Sequence, residues 1–552
     1  MSEGHDVSAS RLPESRTLGR WRVDWALFAI LALAGVLRLH NLTATDIWVD
    51  EANSILTAKQ PASVILDMLS RDSSPPLYYF LLKSWIATVG DSPAAVRLPS
   101  TIFSLMLVAA VFMIGRCEIG RRAGLWAALL VAISPTQVFY SQQARMYTLL
   151  PLLALTAWWF LVRYLRGGRA QDFWVSILAT AAALYTHNFA VYVPLVHAVL
   201  VIGSGQLLRR FGMWVVAVVF LVLALAPWVP TLLTQLANGD HYAWYVERWE
   251  REGYLGAAVD SLRSWSPAGS MVMYARAKPI EWYGVPAVVA TGFAIWGAVL
   301  LVRRRAKGAA PEAWWVIAAC VVPVLASLGL SLILTPHYVP GRVDQMMLPC
   351  FALLVGAGLA AVKPLAMQRV LVLGCLVVAL VGRGAFYSDY RRGGVAGAGA
   401  DLAAAVIAEL HAGDVVLCTS LTRAPLEYYL QRAGADVPIL SYPRATARHL
   451  GSQNHQKLLA DEPGLLNEAR VVIDRARSQA GPGGRLILLR TTIEVNQFLE
   501  RGSLERRFGV KQEARIGLYK LDGTKEYVWL TLNRLGGRAA ADALQRVDGE
   551  HR

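Results

Sequence analysis

Two adjacent carboxylates, Asp50 and Glu51, follow closely on the first apolar run of the chain, where they would sit just beyond the edge of a lipid bilayer. A carboxylate at that level can take a proton from an acceptor hydroxyl, bind a divalent cation, or cap a helix, because Asp favours the N-cap and Glu the first turn. Three arginines occupy comparable places: Arg97 in Arg97-Leu98-Pro99-Ser100, Arg145 in Gln142-Gln143-Ala144-Arg145-Met146-Tyr147, and Arg342 in Tyr338-Val339-Pro340-Gly341-Arg342. A guanidinium fork suits a phosphate through paired hydrogen bonds, whereas a snorkelling arginine merely reaches headgroups. Forks and carboxylates on one face are the ingredients of an anion site beside a base. Tyr147, His187 and Tyr338 lie in the same stretches and are candidates to line such a site, although a span-end histidine also serves as an interfacial hydrogen-bonder. Asp46 reads as a solvated loop residue.

These residues need a scaffold, and composition says which kind. Of 552 residues, 55% are hydrophobic and 17% charged, well below the roughly 25% charged of soluble domains. The 54 basic and 39 acidic side chains leave a net charge of +15, but the charges sit between apolar runs rather than on one soluble face, which excludes nucleic acid as a partner. Five cysteines without C-x-x-C spacing exclude a disulfide scaffold. A transmembrane helix needs about 20 mostly apolar residues. About eleven runs qualify once flanks are included: 25–37, 98–114, 125–138, 146–161, 173–185, 189–202, 213–232, 282–302, 314–334, 345–361 and 370–381.

The positive-inside rule orients them. With residues 1–20 as a cytoplasmic tail, the cytoplasmic turns hold Arg116, Arg121 and Arg122, then Arg163, Arg166 and Arg169, then Arg209 and Arg210, then Arg303 to Lys307, then Lys363 and Arg369. Arg391 and Arg392 run against the trend. Asp50, Glu51, Arg97, Arg145, His187 and Arg342 then share the outer face. The expected organisation is a polytopic helical membrane domain over 21–390 with a first outer loop at 40–96, a small outer α/β domain over 391–535, and a flexible tail over 536–552. Within the first loop, Pro75-Pro76 followed by an aromatic-rich segment predicts an interfacial helix. In the outer domain, strands are expected at 414–420, 437–440, 485–489 and 516–521, alternating with helices at 401–410, 425–432, 466–479 and 494–500, a pattern that implies some parallel sheet. The chain contains no G-x-x-x-x-G-K-[ST], strand-linked G-x-G-x-x-G, H-E-x-x-H or D-x-D motif, which argues against a nucleotide-driven pump or nucleotide-sugar enzyme.

Taken in order, Asp50-Glu51, Pro75-Pro76-Leu77-Tyr78-Tyr79, Arg97-Leu98-Pro99-Ser100, Ala144-Arg145-Met146-Tyr147 and Arg342 resemble the GT-C membrane glycosyltransferases, in particular bacterial relatives of protein O-mannosyltransferases and of the lipid A aminoarabinose transferase. The motifs cover the first 150 or so residues, and beyond them the match is one of hydropathy and order. The resemblance implies inverting transfer of a sugar from a polyprenyl monophosphate to a glycolipid, glycan or protein acceptor on the outer side of a bacterial cytoplasmic membrane. It carries Asp50 over as base with Glu51 as its neighbour, and Arg97, with Arg145 and Arg342, as ligands of the donor phosphate. Ser74 stands where many relatives have a histidine before the double proline, so any role of that histidine is missing. No cofactor is required, since the activated carrier supplies the driving force, and a divalent metal is left open. The competing class is a transporter or flippase of a lipid phosphate, which should bury ionisable groups near the midplane or show repeated halves.

Overall fold

The computed structural model describes residues 24–72, 74–237, 243–269, 284–306, 314–333, 338–392, 399–419, 423–442, 462–490, 515–520, 527–532 and 544–548. Its helices are α1 (Trp25–Leu39), α2 (Val49–Ala58), α3 (Ala62–Ser70), α4 (Leu77–Val89), α5 (Pro93–Glu118), α6 (Arg121–Ile133), α7 (Pro135–Ser141), α8 (Leu149–Gly167), α9 (Ala170–Leu184), α10 (Tyr192–Gly203), α11 (Phe211–Leu225), α12 (Val229–Ala237), α13 (Ala243–Trp265), α14 (Gly284–Ala306), α15 (Trp315–Leu330), α16 (Leu348–Ala360), α17 (Leu365–Arg392), α18 (Gly399–Glu409), α19 (Arg423–Arg432) and α20 (Glu462–Gln479).

Every one of the eleven apolar runs falls on helix: α1, α5, α6 with α7, α8, α9, α10, α11 with α12, α14, α15, α16 and α17. Among the described residues, five segments are long and apolar enough to cross a membrane: Pro93–Glu118, Leu149–Gly167, Phe211–Gln235, Gly284–Arg305 and Ala366–Gly384. The third run is bent, with α6 and α7 meeting at 60°. Pro135 lacks the N–H that would continue α6, and the Ser134 side chain instead caps α7 by accepting from the Gln137 amide. The break leaves carbonyls at the end of α6 without helical partners. Arg38, fully buried near the end of α1, satisfies them: Nη1 donates to Ala132 O at 2.8 Å and Nη2 to Val131 O at 3.2 Å, while Nε donates to Ser104 Oγ at 2.9 Å.

The centre of the bundle is held by close helix contacts rather than bulk. A Cβ added at Gly297 would lie 2.0 Å from Leu354 O, and one at Gly358 would lie 2.3 Å from Phe293 O, so α14 and α16 touch backbone to backbone. Small residues at such crossings are how helices associate when the surrounding solvent is itself apolar. In the first loop, α4 begins directly after Pro75 and Pro76, as expected of an interfacial helix, and buries Tyr78, Tyr79 and Leu82.

The C-terminal region forms one sheet of order β2-β1-β3-β4-β5-β6, from β1 (Val415–Thr419), β2 (Ile439–Tyr442), β3 (Arg485–Arg490), β4 (Arg515–Lys520), β5 (Tyr527–Leu532) and β6 (Leu544–Asp548). β1 pairs in parallel with β2 and β3, with Val416 opposite both Ile439 and Ile487, and β3 to β6 continue antiparallel. Parallel strands joined through helices agree with the expected α/β unit. β5 was not expected, and β6 lies in the stretch read as a loose tail: its Leu544 and Val547 carry too little apolar pattern to announce a strand, and pairing with β5 supplies the order instead. The helix expected at 494–500, the tail 1–20, Ser73 and His337 lie outside the described residues.

This domain grips the first loop. The Ile47 amide donates to Tyr429 Oη at 2.9 Å, Ala400 N donates to Asp46 Oδ2 at 3.0 Å, and Tyr428 Oη donates to Asp91 O at 2.8 Å. Arg432 and Lys59 pair with the Asp91 carboxylate at 2.6 and 3.0 Å. Asp46 is therefore an anchor for α18 rather than a solvated loop residue, a function decided by a partner some 350 residues away that no local pattern discloses.

Replacing Arg38 by Met keeps the stem and removes the donors to Val131 and Ala132. Unsatisfied buried carbonyls cost about 1–3 kcal/mol each, so the thermal unfolding midpoint of the purified protein should fall by several degrees. An unchanged midpoint would show that the α6–α7 break is held by other contacts.

Candidate active site

Asp50 and Glu51 both lie in the first turn of α2, where the helix dipole favours acids, and neither is the N-cap, which is Trp48. Successive residues on a helix point about 100° apart at 3.6 residues per turn, so the two carboxylates reach different partners. Glu51 faces α5. Its Oε1 and Oε2 accept from Arg97 Nε at 2.8 Å and Nη2 at 2.7 Å, and Oε1 also accepts from Ala144 N at 2.8 Å. Arg97 completes its set with Leu42 O at 2.6 Å, Thr45 O at 3.0 Å and Asp46 O at 2.9 Å. Both side chains are 1% exposed.

A guanidinium has five N–H donors, and all five of Arg97 are directed at protein oxygens. The expectation that Arg97 holds a donor phosphate is therefore corrected: its charge is neutralised by Glu51 and it binds the first loop to the start of α5. Glu51 is corrected with it, from catalytic neighbour to the acid half of this clamp. Sequence could not separate Arg97 from Arg145, since both stand at span ends on the same expected face.

Asp50 faces the other way. Its Oδ2 accepts from Arg342 Nη2 at 3.0 Å, and Arg342 Nε donates to the Tyr147 hydroxyl. Arg145, 3% exposed, approaches from the segment between α7 and α8 and donates through Nη1 to Ser54 Oγ at 2.9 Å and, more weakly, to Asp50 O at 3.4 Å. Its Nε is buried without a hydrogen-bond partner. The Tyr147 ring is close to both cations, with the Arg145 and Arg342 guanidinium carbons 5.6 and 5.2 Å from its centroid, and the His187 ring stands 6.0 Å away. His187 Nδ1 accepts from the Phe189 amide at 3.0 Å, so the neutral ring carries its proton on Nε2. Burial, then the charges of Arg342 and Arg145, push His187 down to about 3, which keeps it neutral at physiological pH.

The charges can be counted. Arg145 and Arg342 bring two positive charges, Asp50 one negative, and His187 none. A buried surplus of one cation is costly unless a second anion enters, and the Arg145 Nε is a buried donor with no hydrogen-bond partner.

Tyr338 was expected to line the site. It is fully buried, and its hydroxyl shares a 2.6 Å hydrogen bond with Ser261 Oγ on α13. It positions the turn that leads to Arg342 instead of facing a substrate. Ser54, which accepts from Arg145, is a participant that the sequence did not mark. Asp344, two residues beyond Arg342 and fully buried, is pushed up to about 7 by desolvation. A metal fits poorly: Asp50 and Glu51 diverge toward separate arginines, and no three His, Cys, Asp or Glu side chains gather to hold an ion among the described residues.

The arrangement can be set beside known proteins. Residues 73–230 match the family described as dolichyl-phosphate-mannose-protein mannosyltransferase. The fold matches ArnT from Cupriavidus metallidurans in the apo state with a TM-score of 0.55 at 12% identity, covering 90% of this chain and 99% of that one. The chain shares the fold of ArnT, and its residues 73–230 are similar to the mannosyltransferase family. ArnT from the same organism bound to undecaprenyl phosphate aligns at a TM-score of 0.53, again at 12% identity, over 91% of this chain and 99% of that one. The Archaeoglobus fulgidus oligosaccharyltransferase tethered to an acceptor peptide aligns at 0.50 and 9% identity, over 85% and 69%. No curated protein matches the sequence. The family match begins just before α4 and ends in α12, so it takes in Arg97, Arg145, Tyr147 and His187 but neither Asp50 nor Arg342.

The clamp predicts a double-mutant cycle. Glu51→Gln and Arg97→Gln should each destabilise the protein by about 3–5 kcal/mol by leaving a buried charge unpaired, and the double variant should lose less than the sum. Additive losses would mean that the two side chains act independently.

Proposed function

We propose that the chain is an inverting glycosyltransferase that moves a sugar from a polyprenyl monophosphate to an acceptor hydroxyl on the outer face of a bacterial cytoplasmic membrane. The observation that carries the proposal is the Asp50–Arg342 pair at 3.0 Å beside Arg145, whose Nε has no hydrogen-bond partner: a base and an anion site meet there with one positive charge in excess. The undecaprenyl phosphate named with one ArnT structure is the kind of anion this site would take.

In the proposed reaction the donor phosphate enters between Arg145 and Arg342 and draws Arg342 away from Asp50. Asp50 then accepts the proton of the acceptor hydroxyl as its oxygen bonds to the anomeric carbon. The bond from that carbon to the phosphate oxygen breaks, and the released polyprenyl phosphate keeps the electron pair. The two guanidinium groups stabilise the growing negative charge on the leaving group, where fixed cations in a water-poor site act most strongly. His187, neutral with its proton on Nε2, can donate to a phosphate or sugar oxygen without adding charge. Inversion follows from a single displacement, with base and leaving group on opposite sides of the anomeric carbon.

Sidedness rests on the two ends of α5. Arg97 stands at its start, near the site, and Arg116 at its end, where the basic turns with Arg121, Arg122 and Arg304 gather. The positive-inside rule places that end in the cytoplasm and Asp50 outside. The outer α/β domain, docked on the first loop, would then stand beside an incoming acceptor.

The test is an assay in membranes with radiolabelled polyprenyl-phosphate sugar. Label should appear in a glycolipid, glycan or protein product. Asp50→Asn should lower turnover by about a thousandfold or more while donor binding persists, consistent with removal of a general base together with its charge. Transfer that survives this change, or intact donor moving between leaflets without product, would sink the proposal and favour a flippase. Arg145→Gln should raise the donor KM by about ten- to a hundredfold, the loss of a charge-assisted phosphate contact. An unchanged KM would remove Arg145 from the donor site.

A further inference from the structure

A second basic feature lies at the far end of the bundle. The 26 residues of α5 set it about 39 Å from the site at 1.5 Å per residue. There the turn between α5 and α6 meets the ends of α14 and α16 around a cleft of about 320 Å³. Leu301, Ala357 and Ala360 form its apolar wall, and Arg121, Arg122 and Arg304 stand at its rim. The hollow has a structural cause. The same two helices are in backbone contact at Gly297 and Gly358, and beyond that contact alanines replace the larger side chains that would fill the space between them.

Charge at the rim is unbalanced. Arg121 is matched by Asp24, with Nε and Nη2 at 2.8 and 2.9 Å from the carboxylate. Arg304 donates to a neutral acceptor, Ile119 O, at 3.2 Å. Arg122 is exposed and has no carboxylate partner among the described residues. Two cations thus overhang an apolar cavity, and the adjoining face of α14 exposes Val299 and Val302, which in a membrane would meet lipid. A free phosphate or nucleotide would gain nothing from the alanine and leucine wall, and a zwitterionic headgroup would bring its own cation toward the arginines. The ligand that satisfies both halves carries phosphate on a glycerol with acyl chains.

We propose that this cleft is a binding site for an anionic glycerophospholipid, with the phosphate between Arg122 and Arg304 and the glycerol and first acyl carbons against Leu301, Ala357 and Ala360. The proposal does not depend on the transfer reaction, and its test uses no activity readout.

The full chain in phosphatidylcholine nanodiscs is titrated with phosphatidylglycerol, and bound lipid is counted by native mass spectrometry after release into detergent. The wild type should retain phosphatidylglycerol in preference to phosphatidylcholine. Arg122→Gln, at an exposed position that leaves no partner unpaired, should weaken retention about fivefold, the size expected for one basic residue at an anionic lipid surface. Ala360→Phe should block the hollow with the arginines intact and weaken retention at least as much. Both results together would support the site. Equal retention of phosphatidylcholine, wild-type retention by both variants, protection by inorganic phosphate alone, or displacement by equimolar undecaprenyl phosphate would each overturn it.

Discussion

The buried ion pair between Glu51 and Arg97 is the constraint on which the rest of the active end depends. It joins α2, the loop from Leu42 to Asp46, the start of α5 and the Ala144 amide through a single pair of side chains with every guanidinium proton engaged. Such a pair gives little net stability compared with apolar packing, but breaking it strands a charge. What it provides is placement. With Glu51 fixed, the next residue back along α2 has only one direction available, and Asp50 is aimed at the space that Arg145 and Arg342 share.

That space is organised around Tyr147. Two guanidinium groups that would repel each other in the open both approach one aromatic ring, whose electron-rich face offsets part of the repulsion, and Asp50 offsets more. The remaining imbalance is the ground for the anion proposed to enter between them. Neutral His187 fits the same logic, because a third cation there would make the empty site harder to keep folded.

Much of this was legible in the amino-acid sequence. The eleven apolar runs all fall on helix, because length and hydropathy are nearly sufficient when the solvent is lipid. The family resemblance also stood in short motifs, and the parallel strands β1 and β3 showed themselves as compact apolar segments between helices. What could not be read was pairing. Asp50 and Glu51 look equivalent as a dipeptide and differ only because helical geometry turns them apart. Arg97 and Arg145 look equivalent as span-end arginines and differ only in whether a carboxylate arrives. Arg38 could not be read locally either, since its purpose is set by a break at Pro135 almost a hundred residues later.

The grip of the sheet domain on the first loop carries its own consequence. Ile47, whose amide is tied to Tyr429, is three residues from Asp50, a tether of roughly 11 Å at full extension. The appendage and Asp50 are thus mechanically joined. A chimera that exchanged one terminal module for another would leave the Ile47 amide, the Asp46 carboxylate and the Asp91 carbonyl without their partners, and a shift of the module would be felt at Asp50 within one turn of α2.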